Sequence, residues 1–125
     1  VTVVNRTIEK GERLARALGA GFKPLNGLEA CGCDILINTT SVGMTPNTAV
    51  MPVHAGCLEK GLVVMDIVYN PLRTKLLQEA QGRGCTIVDG VSMFVHQGVR
   101  QFEWWTGQKA PRQVMEKTVR MALQV

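Results

Sequence analysis

The 125-residue chain lacks most features that would make it a secreted, metal-binding or membrane protein. Its four cysteines (Cys31, Cys33, Cys57 and Cys85) show no paired C-x-x-C spacing. They read as reduced thiols, with no metal site and no disulfide framework. No apolar run approaches the ~20 residues a membrane span needs, and no charged, apolar and small-residue leader precedes the domain. These absences point to a cytoplasmic protein with no membrane partner. There is no Lys/Arg run and no basic-aromatic weave, so the net charge of +4 permits an anionic ligand without implying nucleic acid. Paired carboxylates, a metal-ligand motif and a Gly-rich phosphate loop are missing as well. Charged residues make up 19% and hydrophobic residues 46%, which excludes intrinsic disorder and supports a real core. The chain opens on Val1-Thr2-Val3-Val4 with no initiator Met. That β-branched run without a lead-in reads as a strand cut from something longer, so the chain is expected to be a fragment.

What is present alternates. Apolar, β-branched runs predict strands at Val1–Val4, Ile35–Asn38, Leu62–Ile67 and Cys85–Val88, with a short extended piece near Gly21–Lys23. Helical spacing predicts a helix over Ile8–Leu18, with Ile8, Gly11, Leu14, Ala15 and Leu18 on the packed face and Gly19 as its stop. Leu28–Cys31 reads as a brief helix and His54–Leu58 as a helical turn. Pro71 is placed at the first position of a helix reaching about Gln81. Gly90 precedes a long helix over Val91 to about Trp105, and Pro111 opens a last helix to Val125. Strands that are apolar throughout, alternating with helices, indicate a doubly wound α/β fold: a Rossmann-like parallel sheet covered on both faces.

Ligands in such sheets sit at the carboxyl ends of the strands, which directs attention to four segments. In the first, Arg6 stands where an acidic residue would accept bonds from a ribose, flanked by Asn5 and Thr7, with Lys10 one turn on. A planar, permanently charged guanidinium suits a phosphate; a solvated helix start with Thr7 as N-cap is an equal reading. In the second, Asn38–Met44, a Thr/Ser run lets the backbone approach a flat ligand, though it also makes ordinary turns. In the third, Asp66–Pro71, Tyr69 presents a phenol at a strand end, and Asp66 is expected to satisfy backbone groups. In the fourth, Gly90, Met93 and Gln97 share one helical face: close approach, an adaptable apolar surface and an amide. Phe94, Val95 and Phe102 read as core, as does the Trp104-Trp105 pair, and His96 as an ordinary helix residue.

Five segments together carry a resemblance: Val-Asn-Arg-Thr at 4–7, Asn-Thr-Thr-Ser-Val-Gly-Met at 38–44, Asp-Ile-Val-Tyr-Asn-Pro at 66–71, Gly-Val-Ser-Met-Phe-Val-His-Gln at 90–97 and Phe-Glu-Trp-Trp-Thr-Gly at 102–107. Over nearly the whole chain, in order and at matching spacing, they resemble the C-terminal half of the shikimate dehydrogenase family. The style of residues 92–97 and 105–107 also resembles forms fused to 3-dehydroquinate dehydratase. The resemblance implies an NADP-dependent oxidoreductase reducing 3-dehydroshikimate to shikimate, with residues 1–125 as its NADP-binding domain. It implies Asn5, Arg6, Thr7 and Lys10 on the 2′-phosphate side of NADP, and Thr40, Ser41 and Val42 near the nicotinamide ribose. Val68, Gly90 and Met93 flank the nicotinamide, and Tyr69 and Gln97 reach the substrate. The family's catalytic Lys–Asp pair belongs to an N-terminal substrate domain outside these residues, so the chain alone is expected to be inactive. The family's first strand and glycine-rich turn are expected to be missing too, leaving a gap, or a foreign strand, between Val1–Val4 and Ile35–Asn38. Competing readings are the NADP domain of another reductase such as glutamyl-tRNA reductase, against which the Tyr69 and Gln97 segments speak, and a non-catalytic nucleotide-binding module.

Overall fold

Short runs of Val, Ile, Leu and Met give four of the strands and Gly21–Pro24, around Phe22, another, paired in parallel within each of two sheets; the helices between them follow the punctuation of Gly, Asp and Thr. A computed structural model describes residues 1–26 and 28–123. The chain divides into two compact units. The first comprises Val1–Gly32 and Val53–Cys57; the second comprises Cys33–Pro52 and the chain from Leu58 onward.

The first unit holds β1 (Thr2–Asn5), α1 (Ile8–Leu18) and β2 (Gly21–Pro24). The two strands pair in parallel, Thr2 opposite Gly21 and Asn5 opposite Pro24. In α1 only Gly11 and Ala15 are buried. Ile8, Leu14 and Leu18 remain about half exposed or more, contrary to the expectation that they pack. The two small residues bring the helix close to its strands, so its bulkier neighbours flank the contact. Gly19 ends α1 in the left-handed region (φ 61°), its amide donating to the Arg16 carbonyl.

Leu28–Cys31 is not helical. The Leu28 carbonyl accepts from the Cys57 thiol at 3.6 Å. Beside the Glu29 carbonyl, Gly56 lies so close that an added Cβ would come within 2.6 Å of that oxygen. Both carbonyls thus face the segment carrying the 3₁₀ turn at Ala55–Cys57 instead of helical amides.

The second unit holds β3 (Ile35–Asn38), β4 (Val63–Asp66), α2 (Lys75–Gly82), β5 (Thr86–Val88), α3 (Gly90–Thr106) and α4 (Arg112–Ala122). Its sheet runs β3-β4-β5, all parallel. Val64, Leu76, Leu77, Ala80, Val91 and Val95 form its core. Each fully buried Leu contributes roughly 1.5–3 kcal/mol. Coverage on both faces does not extend to β3, where Ile35 and Ile37 are half exposed. Three boundaries differ from those read in the sequence. α2 starts at Lys75 and not at Pro71, because the Thr74 hydroxyl caps it by accepting from the Leu77 amide. α3 takes in Gly90, because the Asp89 carboxylate caps it. α4 stops at Ala122, while residues 124 and 125 of the expected helix lie outside the described residues. Trp104 and Trp105 are 85% and 80% exposed, so they are not core. They occupy the last turn of α3, beyond Phe102.

Among the described residues no ladder joins β1 to β3.

Candidate functional site

In the first unit the turn after β1 is built on Asn5, whose side-chain oxygen accepts from the Thr7 amide at 2.8 Å. Thr7 sits at the N-cap in extended conformation, but its hydroxyl makes no capping bond, unlike an ordinary N-cap threonine. The open amides at the start of α1 therefore remain available. Arg6 and Lys10 are exposed and form no ion pair among the described residues. Two free cations at a helix N-terminus oppose the helix dipole, an arrangement that an anion would relieve.

In the second unit the loops after β3 and β4 are joined through buried polar groups. Asn38 ends β3; its side-chain oxygen accepts from the Thr40 amide (3.0 Å) and the Thr40 hydroxyl (2.7 Å). Its amide nitrogen donates to the Val42 carbonyl (3.2 Å) and to Asp66 Oδ1 (3.0 Å). Asp66 also accepts from the Val68 amide (3.0 Å) and the Thr74 hydroxyl (2.7 Å). The expected backbone role of Asp66 is thus present, with two side-chain partners besides. Thr40 uses its proton inside the turn and accepts from the Val42 amide (3.1 Å). Ser41, by contrast, is exposed and its hydroxyl has no partner among the described residues.

Val68 is buried, whereas Tyr69 is 38% exposed and stacks on Phe94 with ring centroids 4.5 Å apart. Packing thus holds the ring while the phenol stays at the surface. Gly90 is buried against the exit of β4: an added Cβ would lie 2.5 Å from the Val68 carbonyl and 2.6 Å from that of Ile67. The room it provides is taken by backbone, which seats the N-terminus of α3 on the loop carrying Tyr69. Along α3, Met93 and Gln97 are exposed on one face. His96 shares a 2.6 Å hydrogen bond between Nδ1 and the Ser92 carbonyl.

Spacing alone did not reveal three contributors. Asn38 and Thr74 find Asp66 across 28 and 8 residues. A polar residue closing an apolar strand, and a threonine three residues before a buried leucine, were the available signals. The third is the Asp89–Arg120 pair (2.9 Å), which ties the start of α3 to α4. Partial burial works against ionisation of Asp89, but Arg120, the Ser92 amide and the Ser92 hydroxyl outweigh it and hold the carboxyl below its usual range. Among the described residues no cluster of His, Cys, Asp and Glu could hold a metal, and no helix is long and apolar enough to cross a membrane.

Parallel strands whose carboxyl-end loops converge on the start of the next helix define a doubly wound α/β protein. Residues 90–120 match the family model described as Shikimate 5'-dehydrogenase C-terminal domain. The shikimate dehydrogenase (NADP(+)) of Methanosarcina acetivorans is 48% identical over 99% of the chain. Among solved structures, a shikimate dehydrogenase in complex with NADP+ superposes with a TM-score of 0.87 at 36% identity, over 98% of this chain and 46% of the other. The Thermus thermophilus shikimate 5-dehydrogenase, in complex with NADP(H) and shikimate, gives 0.89 at 33% identity over the same shares. Over nearly its whole length the chain is similar to shikimate dehydrogenases, and it spans about half the length of the curated relatives it matches.

Proposed function

We propose that the chain is the NADP-holding portion of a cytoplasmic shikimate dehydrogenase, which reversibly reduces 3-dehydroshikimate to shikimate. A substrate domain outside these residues completes the enzyme. The observation that carries this reading is the unpaired Arg6, with Lys10 beside it, at the open N-terminus of α1. The donor set fits the group: a guanidinium, an ammonium and free helix amides match a phosphate on the adenosine ribose. No carboxylate occupies the place where a ribose 2′-hydroxyl would be read.

When bound, NADP supplies or takes up the hydride. The chain's own residues bind and orient. Asn5 shapes the turn, while Arg6, Thr7 and Lys10 hold the 2′-phosphate end. The Thr40–Val42 turn, with Ser41's free hydroxyl, meets the nicotinamide ribose. Val68, Met93 and the close-packed Gly90 form an apolar wall that keeps water from the nicotinamide. Tyr69 and Gln97 offer a phenol and an amide to the oxygens of shikimate or 3-dehydroshikimate. The proton accompanying the hydride is handled by side chains outside this chain.

Isothermal titration of the complete enzyme with NADP and with NAD, paired with a shikimate oxidation assay, tests the reading. NADP should bind more tightly and support turnover. Equal affinities, or no turnover of shikimate, would overturn it.

A further inference from the structure

We infer that Asp66 is a positioning residue. Its carboxylate locks the Thr40–Val42 turn and the Val68–Tyr69 segment into one register and anchors both to α2. The inference deepens the proposed function and rests on it only for what the two segments hold.

The network is closed at every atom. Asp66 is fully buried, Asn38 is 4% exposed and Thr74 fully buried. Oδ1 of Asp66 takes Asn38 and the Val68 amide, and Oδ2 takes the Thr74 hydroxyl. Thr74 in turn accepts from the Leu77 amide, so its proton is free for Asp66 alone. Asn38 makes four bonds, the most its amide can make. No buried side-chain polar atom among the described residues lacks a partner. A fully satisfied buried network is rigid, whereas one missing member leaves costly orphans.

Its placement gives that rigidity a use. Each link reaches a different segment: the turn after β3, the backbone after β4, and the first turn of α2. The far ends of the two loops are clipped as well, since Thr45 donates from its amide to the Asn70 carbonyl (3.1 Å) and from its hydroxyl to the Asn70 side chain (3.2 Å). Gly90 closes the third side by seating α3 on the Ile67 and Val68 carbonyls. Ser41 and Tyr69, the exposed groups, thus stand on two loops that share one buried carboxylate. No cation pairs with Asp66 among the described residues. It is also shut off from solvent, so it acts through its neighbours and not on a substrate.

The test uses the complete enzyme with Asp66→Ala, Asn38→Asp and Thr74→Ser. Two readouts are taken at a temperature well below each variant's Tm: backbone amide hydrogen exchange, and kcat, KM and the isotope effect with cofactor deuterated at the transferred position. In Asp66→Ala, exchange at Thr40 and at Val68 should accelerate together, at least tenfold. kcat should fall at least tenfold, by more than either KM rises, with a larger isotope effect. Asn38→Asp keeps the acceptor for Thr40, removes the amide donor to Asp66 and Val42 and sets a second buried carboxyl against Asp66; it should show the same pattern, and it carries the test if Asp66→Ala does not fold. Thr74→Ser retains the hydroxyl and should stay within twofold of wild type. Faster exchange at Val68 with Thr40 unchanged would overturn the shared register. A lowered Tm with kcat and isotope effect unchanged would overturn the positioning role. A wild-type enzyme without shikimate turnover would sink the proposed function instead, while the exchange data would still decide the coupling.

Discussion

Arg6 owes its interest to what it does not touch. With no carboxylate partner and an opposing helix dipole, its natural counter-ion is a bound anion. Replacing it by Asp in the complete enzyme should weaken NADP binding by roughly 1.5–3 kcal/mol, about 10- to 150-fold in Kd, through loss of a charge-assisted contact. NAD binding should not weaken; paired isotherms check both. Gly90 makes the opposite kind of residue-scale claim. A methyl there would collide with two backbone carbonyls that β4 holds in place. Gly90→Ala should therefore cost about 1–3 kcal/mol, read as a lower urea midpoint. The sequence exposed Arg6 and Gly90 as unusual, but not for the same reason. Arg6 could be read directly, because a cation in place of an acid is visible in one residue. Gly90 reads in the sequence as a place of close approach, but the atoms an added Cβ would meet are the carbonyls of Ile67 and Val68, more than twenty residues back, which no local pattern specifies.

Among the elements, α3 and α4 are coupled through Asp89, which caps one helix and pairs with Arg120 of the other. Asp89→Ala should cost about 1 kcal/mol for the cap alone. The pH dependence follows from the lowered carboxyl. The folded state holds Asp89 below its ordinary 3.8, so its contribution is complete above that value and vanishes as pH falls through the folded value. The Tm gap between wild type and Asp89→Asn should be full near neutrality and close below that ordinary value; thermal melts across the acid limb measure it. Most elements were legible from apolar runs and glycine stops. The failures share a cause. At α2 the proline at 71 was a plain local signal, but the cap bond that starts the helix belongs to Thr74, which is fixed by Asp66. At Leu28–Cys31 the Leu28 carbonyl accepts from the Cys57 thiol and the Glu29 carbonyl lies against Gly56, so two of the four residues turn to the segment at 54–57. Spacing records what a segment favours by itself and is blind to partners contributed from elsewhere.

On the scale of the whole molecule, β1 pairs with β2, and β3 with β4, and neither has a second partner among the described residues. One edge of β3 is left without a strand among the described residues, and Ile35 and Ile37 stand half exposed beside it. An open, apolar edge invites pairing with another chain. The purified 125-residue chain should therefore associate as its concentration rises, and Ile37→Lys should reduce that association in sedimentation velocity with little change in Tm. The same chain should show no dehydrogenase turnover with NADP and shikimate; measurable turnover would refute the division of labour proposed above. The two indoles, adjacent at the end of α3 and both standing in water, have a practical consequence. They are the chain's only tryptophans, so its indole emission comes from that spot alone. Any molecule that settles over it will announce itself as a blue shift, with no label attached.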